Sequence, residues 1–318
     1  MRDKRTIKNA IVAHMSTLKQ NLAVQFSTQS NPLAIDGLEF IEYHTTEPLS
    51  LGAVLERMGF FATSRHRSRE VMRYTQGSGN TAMNIIVNAD LTARPATSGA
   101  WQSTVLSAIA LRVKDASAAY QRALELGAWS IPTRAGAMEL NIPGIHGVGQ
   151  SIIYFVDRFK ANNDFSIYDV DFKAIPVDAE KKRMSQNSDL HFFGVVQTIG
   201  DNRSADWAAF YERLMGFSIL PRGQAFGILP KGTLMQSPCN QFYLQLIERP
   251  EGAEDVHWDE SLLRLGLGCA DVPATVARLQ AAGMTFSDRG AVQPSDKGAI
   301  TQTVLGGVTF ELVQSVRV

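Results

Sequence analysis

Glu311 is the residue in this sequence whose surroundings most demand chemistry. It stands in Gly307-Val308-Thr309-Phe310-Glu311-Leu312-Val313-Gln314, where Val308, Phe310 and Leu312 alternate with Thr309, Glu311 and Val313 as they would along a strand. A carboxylate in such company is costly to bury unless a metal ion or a cation meets it, and the bland alternative is a solvated glutamate on a half-buried strand. A cation is at hand in Leu262-Leu263-Arg264-Leu265-Gly266-Leu267, which also reads as a strand. Histidines are the remaining candidates: His191 and His257 lie in the same half of the chain, while His14, His44, His66 and His146 lie outside it and read as surface or hydrogen-bonded residues.

Elements must hold these residues in place, and an internal repeat sets them out. Glu56-Arg57-Met58-Gly59-Phe60 returns as Glu212-Arg213-Leu214-Met215-Gly216-Phe217, and Ala110-Leu111-Arg112-Val113-Lys114-Asp115 returns as Gly266-Leu267-Gly268-Cys269-Ala270-Asp271. The strand beginning at Ser151 returns at Val308; the three matches stand 156, 156 and 157 residues apart. In the first copy, strands are predicted over 38–43, 61–63, 71–74, 83–87, 107–113 and 152–156, with helices over 49–58 and 116–126. Each copy thus reads β-α-β-β-β twice over, an α+β fold. Asp115 and Asp271 are natural helix N-caps, and Gly127 and Gly283 sit where a helix end favours left-handed backbone.

Composition narrows the function classes. The 318 residues are 45% hydrophobic, enough for a sizeable core in two domains. Lys plus Arg and Asp plus Glu both count 31, so no net field invites nucleic acid or an anionic membrane. No apolar run approaches the roughly 18 residues of a membrane span. Cys239 and Cys269 make neither a disulfide framework nor a zinc motif, which suits a reducing cytoplasm. Residues 1–32 carry a single acid, Asp3, and read as an N-terminal extension with helical spacing from Ile7 to Leu18. The expected division is 33–165 for a structural domain, 166–189 for an exposed linker bearing Lys181-Lys182-Arg183, and 190–318 for the domain holding the site.

Two tandem domains, each a pair of βαβββ modules forming an open barrel, resemble the vicinal-oxygen-chelate (glyoxalase/dioxygenase-like) superfamily. Local sequence resembles 4-hydroxyphenylpyruvate dioxygenase: Gly37-Leu38-Glu39-Phe40-Ile41-Glu42-Tyr43, Arg65-His66-Arg67-Ser68, Ile85-Ile86-Val87-Asn88, Met138-Glu139-Leu140-Asn141-Ile142-Pro143-Gly144-Ile145 and Ser166-Ile167-Tyr168-Asp169-Val170-Asp171-Phe172. The resemblance is dense over 33–172 and thinner over 192–316. It implies a non-haem Fe(II) enzyme that decarboxylates an aromatic 2-oxo acid and hydroxylates its ring, with two histidines and a carboxylate from the second domain holding the iron.

Carried onto this chain, the resemblance makes Glu311 the carboxylate ligand but meets Arg264 where the family has its second histidine. A guanidinium has no lone pair to give a metal. The first histidine's place falls on Gly194 in a gapless match; His191, three residues earlier, could serve only through an insertion or a bulge, since an odd shift turns a strand residue to the other face. Ser237 and Gln302 match substrate-side positions, while Ile247 replaces a polar one. The chain ends at Val318, before the family's long C-terminal helix, so a more open site is expected. Two readings follow. In one the chain is a dioxygenase of this type, with Fe(II) as cofactor and a small aromatic 2-oxo acid as substrate. In the other it needs no cofactor: Arg264 pairs with Glu311 in place of iron, or receives the carboxylate of such an acid. A glyoxalase-type or antibiotic-sequestering activity shares the fold but has little local sequence support. Nucleic acid and membrane are not expected partners, and a second copy of the chain is left open.

Overall fold

The sequence repeat becomes two sheets of matching strand order. The computed structural model describes residues 31–90, 103–132, 135–136, 139–159, 165–186, 188–221, 227, 232–252, 258–288 and 293–316. The helix expected within residues 1–32, together with His14 and His257, lies outside them.

In the N-terminal half, β1 (Ile35–Thr45), α1 (Pro48–Arg57), β2 (Phe61–His66), β3 (Val71–Gln76) and β4 (Met83–Asn88) form the first module. β5 (Thr104–Val113), α2 (Ala116–Glu125), β6 (Gly144–His146) and β7 (Ile152–Val156) form the second. The C-terminal half repeats this as β9 (His191–Thr198), α5 (Ser204–Met215), β10 (Ser218–Ile219), β11 (Thr233–Gln236) and β12 (Tyr243–Ile247), then β13 (Ser261–Cys269), α6 (Val272–Ala281), β14 (Gly298–Ile300) and β15 (Phe310–Gln314). Between them lie α3 (Ile167–Asp171), β8 (Phe172–Ala174) and α4 (Ala179–Gln186). The sheets run β2-β3-β4-β1-β5-β7-β6 and β10-β11-β12-β9-β13-β15-β14, joined where Leu262 at the start of β13 pairs with Leu106 at the start of β5, both interior strands, and β8 extends the N-terminal edge. Each is an open sheet and not a closed barrel.

The second modules depart from the expected β-α-β-β-β. Their additional strand shrinks to a lone bridge, Ser130 to Ile145 in one half and Phe286 to Thr301 in the other. In the first of these, Pro132 lacks the backbone N–H that a longer ladder needs. The caps form as their residue types dictate: Asp115 and Asp271 accept hydrogen bonds from Ala118 N (2.8 Å) and Ala274 N (2.9 Å), and Gly127 and Gly283 adopt φ of 93° and 91°.

Helices cover one face of each sheet. Leu51, Leu55, Ala119, Tyr211, Leu214, Val276 and Leu279 pack on Ile41, Ile109, Val195, Leu244, Leu265 and Leu312 in a single buried cluster. The opposite face is treated differently in the two halves. In the N-terminal half it is filled by the chain's own connector. Ile167 and Tyr168 of α3 pack onto Phe40, Val71, Ile86, Ala110 and Val156, and the Arg73 guanidinium lies 3.6 Å from the Tyr168 ring centre. The linker was expected to be exposed; here it is buried because the strands beneath are apolar on both faces. Only its α4 part keeps that character, with Lys181, Lys182 and Arg183 in solvent.

Beside this plug, Glu139 ties the loop before β6 to the β2–β3 turn. Arg69 Nε lies 3.1 Å from both of its carboxylate oxygens, and Ser68 Oγ and Gly136 N also donate to it. Arg69, then Ser68 and the Gly136 amide, hold its carboxyl down at about 2. An unfolded glutamate titrates at roughly 4.3, so the stabilisation is complete above that pH and is lost as pH falls toward 2. Glu139→Gln should flatten the acid limb of an unfolding midpoint-versus-pH curve between those values.

Two turns clasp the halves together. Gly149 (φ 59°) lies so close to Glu260 that a methyl group there would collide with the Glu260 backbone, and 156 residues later the Leu305 carbonyl accepts Ser103 Oγ at 3.0 Å. Gly149→Ala should destabilise the chain by about 2–4 kcal/mol in denaturant melts, from left-handed backbone strain plus overpacking.

Candidate functional site

The site forms where β9, β13 and β15 lie side by side. Gly266 is opposite Gly194 on one side and Glu311 on the other. Since Leu265, Leu267, Phe310 and Leu312 turn toward the helices, Arg264, Gly266, Gly268, Glu311 and Val313 turn the other way. Arg264 and Glu311 meet there: Arg264 Nε donates to Glu311 Oε2 at 2.8 Å, with side chains only 8% and 5% exposed. The contact is single and not a two-pronged fork. Arg264 Nη2 is buried and has no hydrogen-bond partner among the described residues. Gly227 closes over the pair, near enough that a methyl group on it would strike Glu311 Oε1.

Position 194 has room only for glycine. A Cβ there would collide with the Tyr243 carbonyl, because the parallel β9–β12 pairing sets Tyr243 opposite it. A histidine could not stand here without moving backbone, which is a stronger statement than its absence from the sequence.

The bulge that His191 needs is present. Pairing shifts between Gly266 and Leu267, so that Gly268 faces His191, and the imidazole lies over the Gly268 Cα. His191 therefore shares the face of Glu311. Its Nε2, however, lies 3.2 Å from Ser315 Oγ, four residues beyond Glu311, or about 13 Å along a strand. Ser237 is placed in the β11–β12 hairpin, where its Oγ accepts Phe242 N at 3.2 Å and its amide donates to Phe242 O. Gln302 is exposed, its Nε2 3.5 Å from Phe286 O. The structure thus brings together Arg264 and Glu311, and leaves His191, Ser237 and Gln302 apart from them.

Sequence reasoning missed an aromatic wall. The bulged residue Phe193 stacks on Tyr243 with ring centres 4.9 Å apart, and its ring lies against Gly266. The glycines at 194, 266 and 268 were the available signal, since three glycines on two paired strands mark a place where something approaches the backbone closely.

The three ligand positions that the resemblance implies for Fe(II) hold Glu311, Arg264 and Gly194. A permanently charged guanidinium supplies no lone pair and repels a dication that Glu311 would bind. Among the described residues no group of three or more His, Cys, Asp or Glu side chains is placed to hold a metal ion. This donor set does not fit Fe(II).

The fold and this strand arrangement define a class. Residues 29–173 match the family described as hydroxyphenylpyruvate dioxygenase, HPPD, N-terminal, and residues 192–312 match the glyoxalase/bleomycin resistance protein/dioxygenase superfamily. Among similar proteins, the 4-hydroxyphenylpyruvate dioxygenase of a Pseudomonas sp. is 37% identical over 193 residues, 59% of this chain and 50% of that protein. That of Pseudomonas aeruginosa is 29% identical over 279 residues, 83% of this chain and 74% of the other. A solved xylose isomerase-like TIM barrel/4-hydroxyphenylpyruvate dioxygenase fusion protein shares the fold, with a TM-score of 0.65 at 22% identity over 89% of this chain and 50% of that one. The chain is a 4-hydroxyphenylpyruvate dioxygenase-like protein of the vicinal-oxygen-chelate superfamily.

Removing Arg264 alone strands a buried carboxylate. Arg264→Leu should cost about 3–5 kcal/mol, while Arg264→Leu with Glu311→Leu should recover most of that loss, because no lone charge remains. Urea melts of the two single variants and the double variant measure the coupling.

Proposed function

We propose that the C-terminal domain binds a small aromatic carboxylic or 2-oxo acid without iron chemistry, with Arg264 receiving the carboxylate. The observation that carries this reading is the buried Arg264 Nη2, a charged donor with no acceptor among the described residues. Leaving such a group unsatisfied costs on the order of 1–3 kcal/mol or more, and a ligand carboxylate would remove that cost. Glu311 fixes the guanidinium through Nε, which turns the remaining nitrogens toward the incoming acid. Phe193 and Tyr243 offer a stacking surface for a ring. Ser237, buried in its hairpin, supports the position of Tyr243 and makes no contact with the acid in this reading.

The second reading, an Fe(II)-dependent dioxygenase acting on an aromatic 2-oxo acid, is favoured by the named relatives and opposed by the donor set. Both readings suit a protein acting in the cytoplasm, since Cys239 and Cys269 are free and no described helix is long and apolar enough to cross a membrane.

Calorimetry with 4-hydroxyphenylacetate, alongside iron content and oxygen uptake on 4-hydroxyphenylpyruvate, separates them. The expected result is saturable binding of the acid, iron well below one per chain and no oxygen uptake. Arg264→Met combined with Glu311→Met, which leaves no stranded charge, should weaken the acid at least tenfold. One iron per chain together with turnover would overturn the proposal.

A further inference from the structure

A cavity of about 870 Å³ opens between the two halves, away from Arg264 and Glu311. Its floor is the start of β5 and β13, where the two sheets join. One wall is α5 with Asp206, Trp207 and Phe210; the other is the N-terminal half's Trp129 and His146. The volume falls in the range of small-molecule sites, which favour domain boundaries.

Its chemistry is specific. Trp129 is 78% exposed on the rim, whereas a large indole without a partner is ordinarily covered. Trp207 faces it from α5, edge-on to Phe210 with ring centres 5.4 Å apart. Trp207 is held in place from below: its Nε1 donates to Glu260 Oε1 at 2.9 Å, and that oxygen also accepts Arg203 Nη1 at 2.9 Å and Gly200 N at 3.1 Å. Arg203 and Glu260 pair with each other, and the Arg203 guanidinium also lies 5.4 Å from the Trp207 ring centre, so this indole already carries a cation. Asp206, exposed in the first turn of α5, makes no hydrogen bond or ion pair among the described residues, so its negative charge on the cavity wall is offset only in part, by the helix N-terminus.

We infer that this groove is a second ligand site, for a planar aromatic molecule carrying a protonated amine. The ring would lie against Trp129 and Trp207, and the ammonium would be drawn to the exposed Trp129 face and to Asp206. An acid of the same shape would meet Asp206 as a like charge. The inference is independent of the reading of the C-terminal domain as an acid receptor.

The test uses the full chain and tyramine as probe, with 4-ethylphenol as its uncharged counterpart and 4-hydroxyphenylacetate as its anionic one, followed by calorimetry and tryptophan fluorescence. Tyramine should bind saturably and quench fluorescence, and should bind at least fivefold tighter than 4-ethylphenol. Trp129→Ala, a change at an exposed side chain, should weaken tyramine at least tenfold. Asp206→Asn should remove the advantage of tyramine over 4-ethylphenol. The Arg264→Met and Glu311→Met double variant should leave tyramine binding unchanged, even where it abolishes binding of the acid. Absence of tyramine binding at millimolar concentration, or binding indifferent to both Trp129→Ala and Asp206→Asn, would overturn the inference.

Discussion

A guanidinium beside a carboxylate, both withdrawn from water, is the interaction on which the C-terminal domain depends. Arg264 and Glu311 sit diagonally across β13 and β15, so their contact requires the parallel register that sets Glu311 opposite Gly266. Either charge alone in that place would be expensive, and together they tolerate burial only because each answers the other. The pair therefore does locally what a metal does elsewhere in this superfamily, which is to give an inward carboxylate a positive partner. The substitute is fixed to the chain and cannot be exchanged, reduced or oxidised.

The backbone around the pair agrees with this. Gly194 lies under the Tyr243 carbonyl, and Gly227 lies over Glu311. Space that ligand side chains would fill is taken by main chain. The features that fit Fe(II) poorly are thus spread over three strands and are not confined to one residue.

Much of the fold was legible from the chain itself. Alternation located the strands, and Asp115, Asp271, Gly127 and Gly283 marked helix ends through local hydrogen bonding and backbone freedom, which depend on few neighbours. The pairing of Arg264 with Glu311 was also legible, through the resemblance that sets both at neighbouring ligand positions. What escaped notice depended on contacts between distant segments. The plug formed by Ile167 and Tyr168 looks polar in sequence because Asp169 and Asp171 surround it, yet its apolar residues fall on one side of a single helical turn. The stacking of Phe193 on Tyr243 needs a bulge that no local pattern announces. The second modules were read as β-α-β-β-β like the first, yet near Ser130 and Phe286 only a single bridge forms.

The reciprocal clasp of the halves has a consequence for how such a chain can change. The Gly149 turn grips the base of β13, and the Leu305 turn grips the base of β5, in the manner of an isologous dimer whose two subunits have been tied in tandem. Tethering makes the association intramolecular, at an effective concentration far above that of separate chains. Neither half then has to retain a surface good enough to find its mate from solution. Symmetry, once imposed by identical subunits, becomes optional: one half can seal its inner face with its own connector while the other keeps a charged pair there.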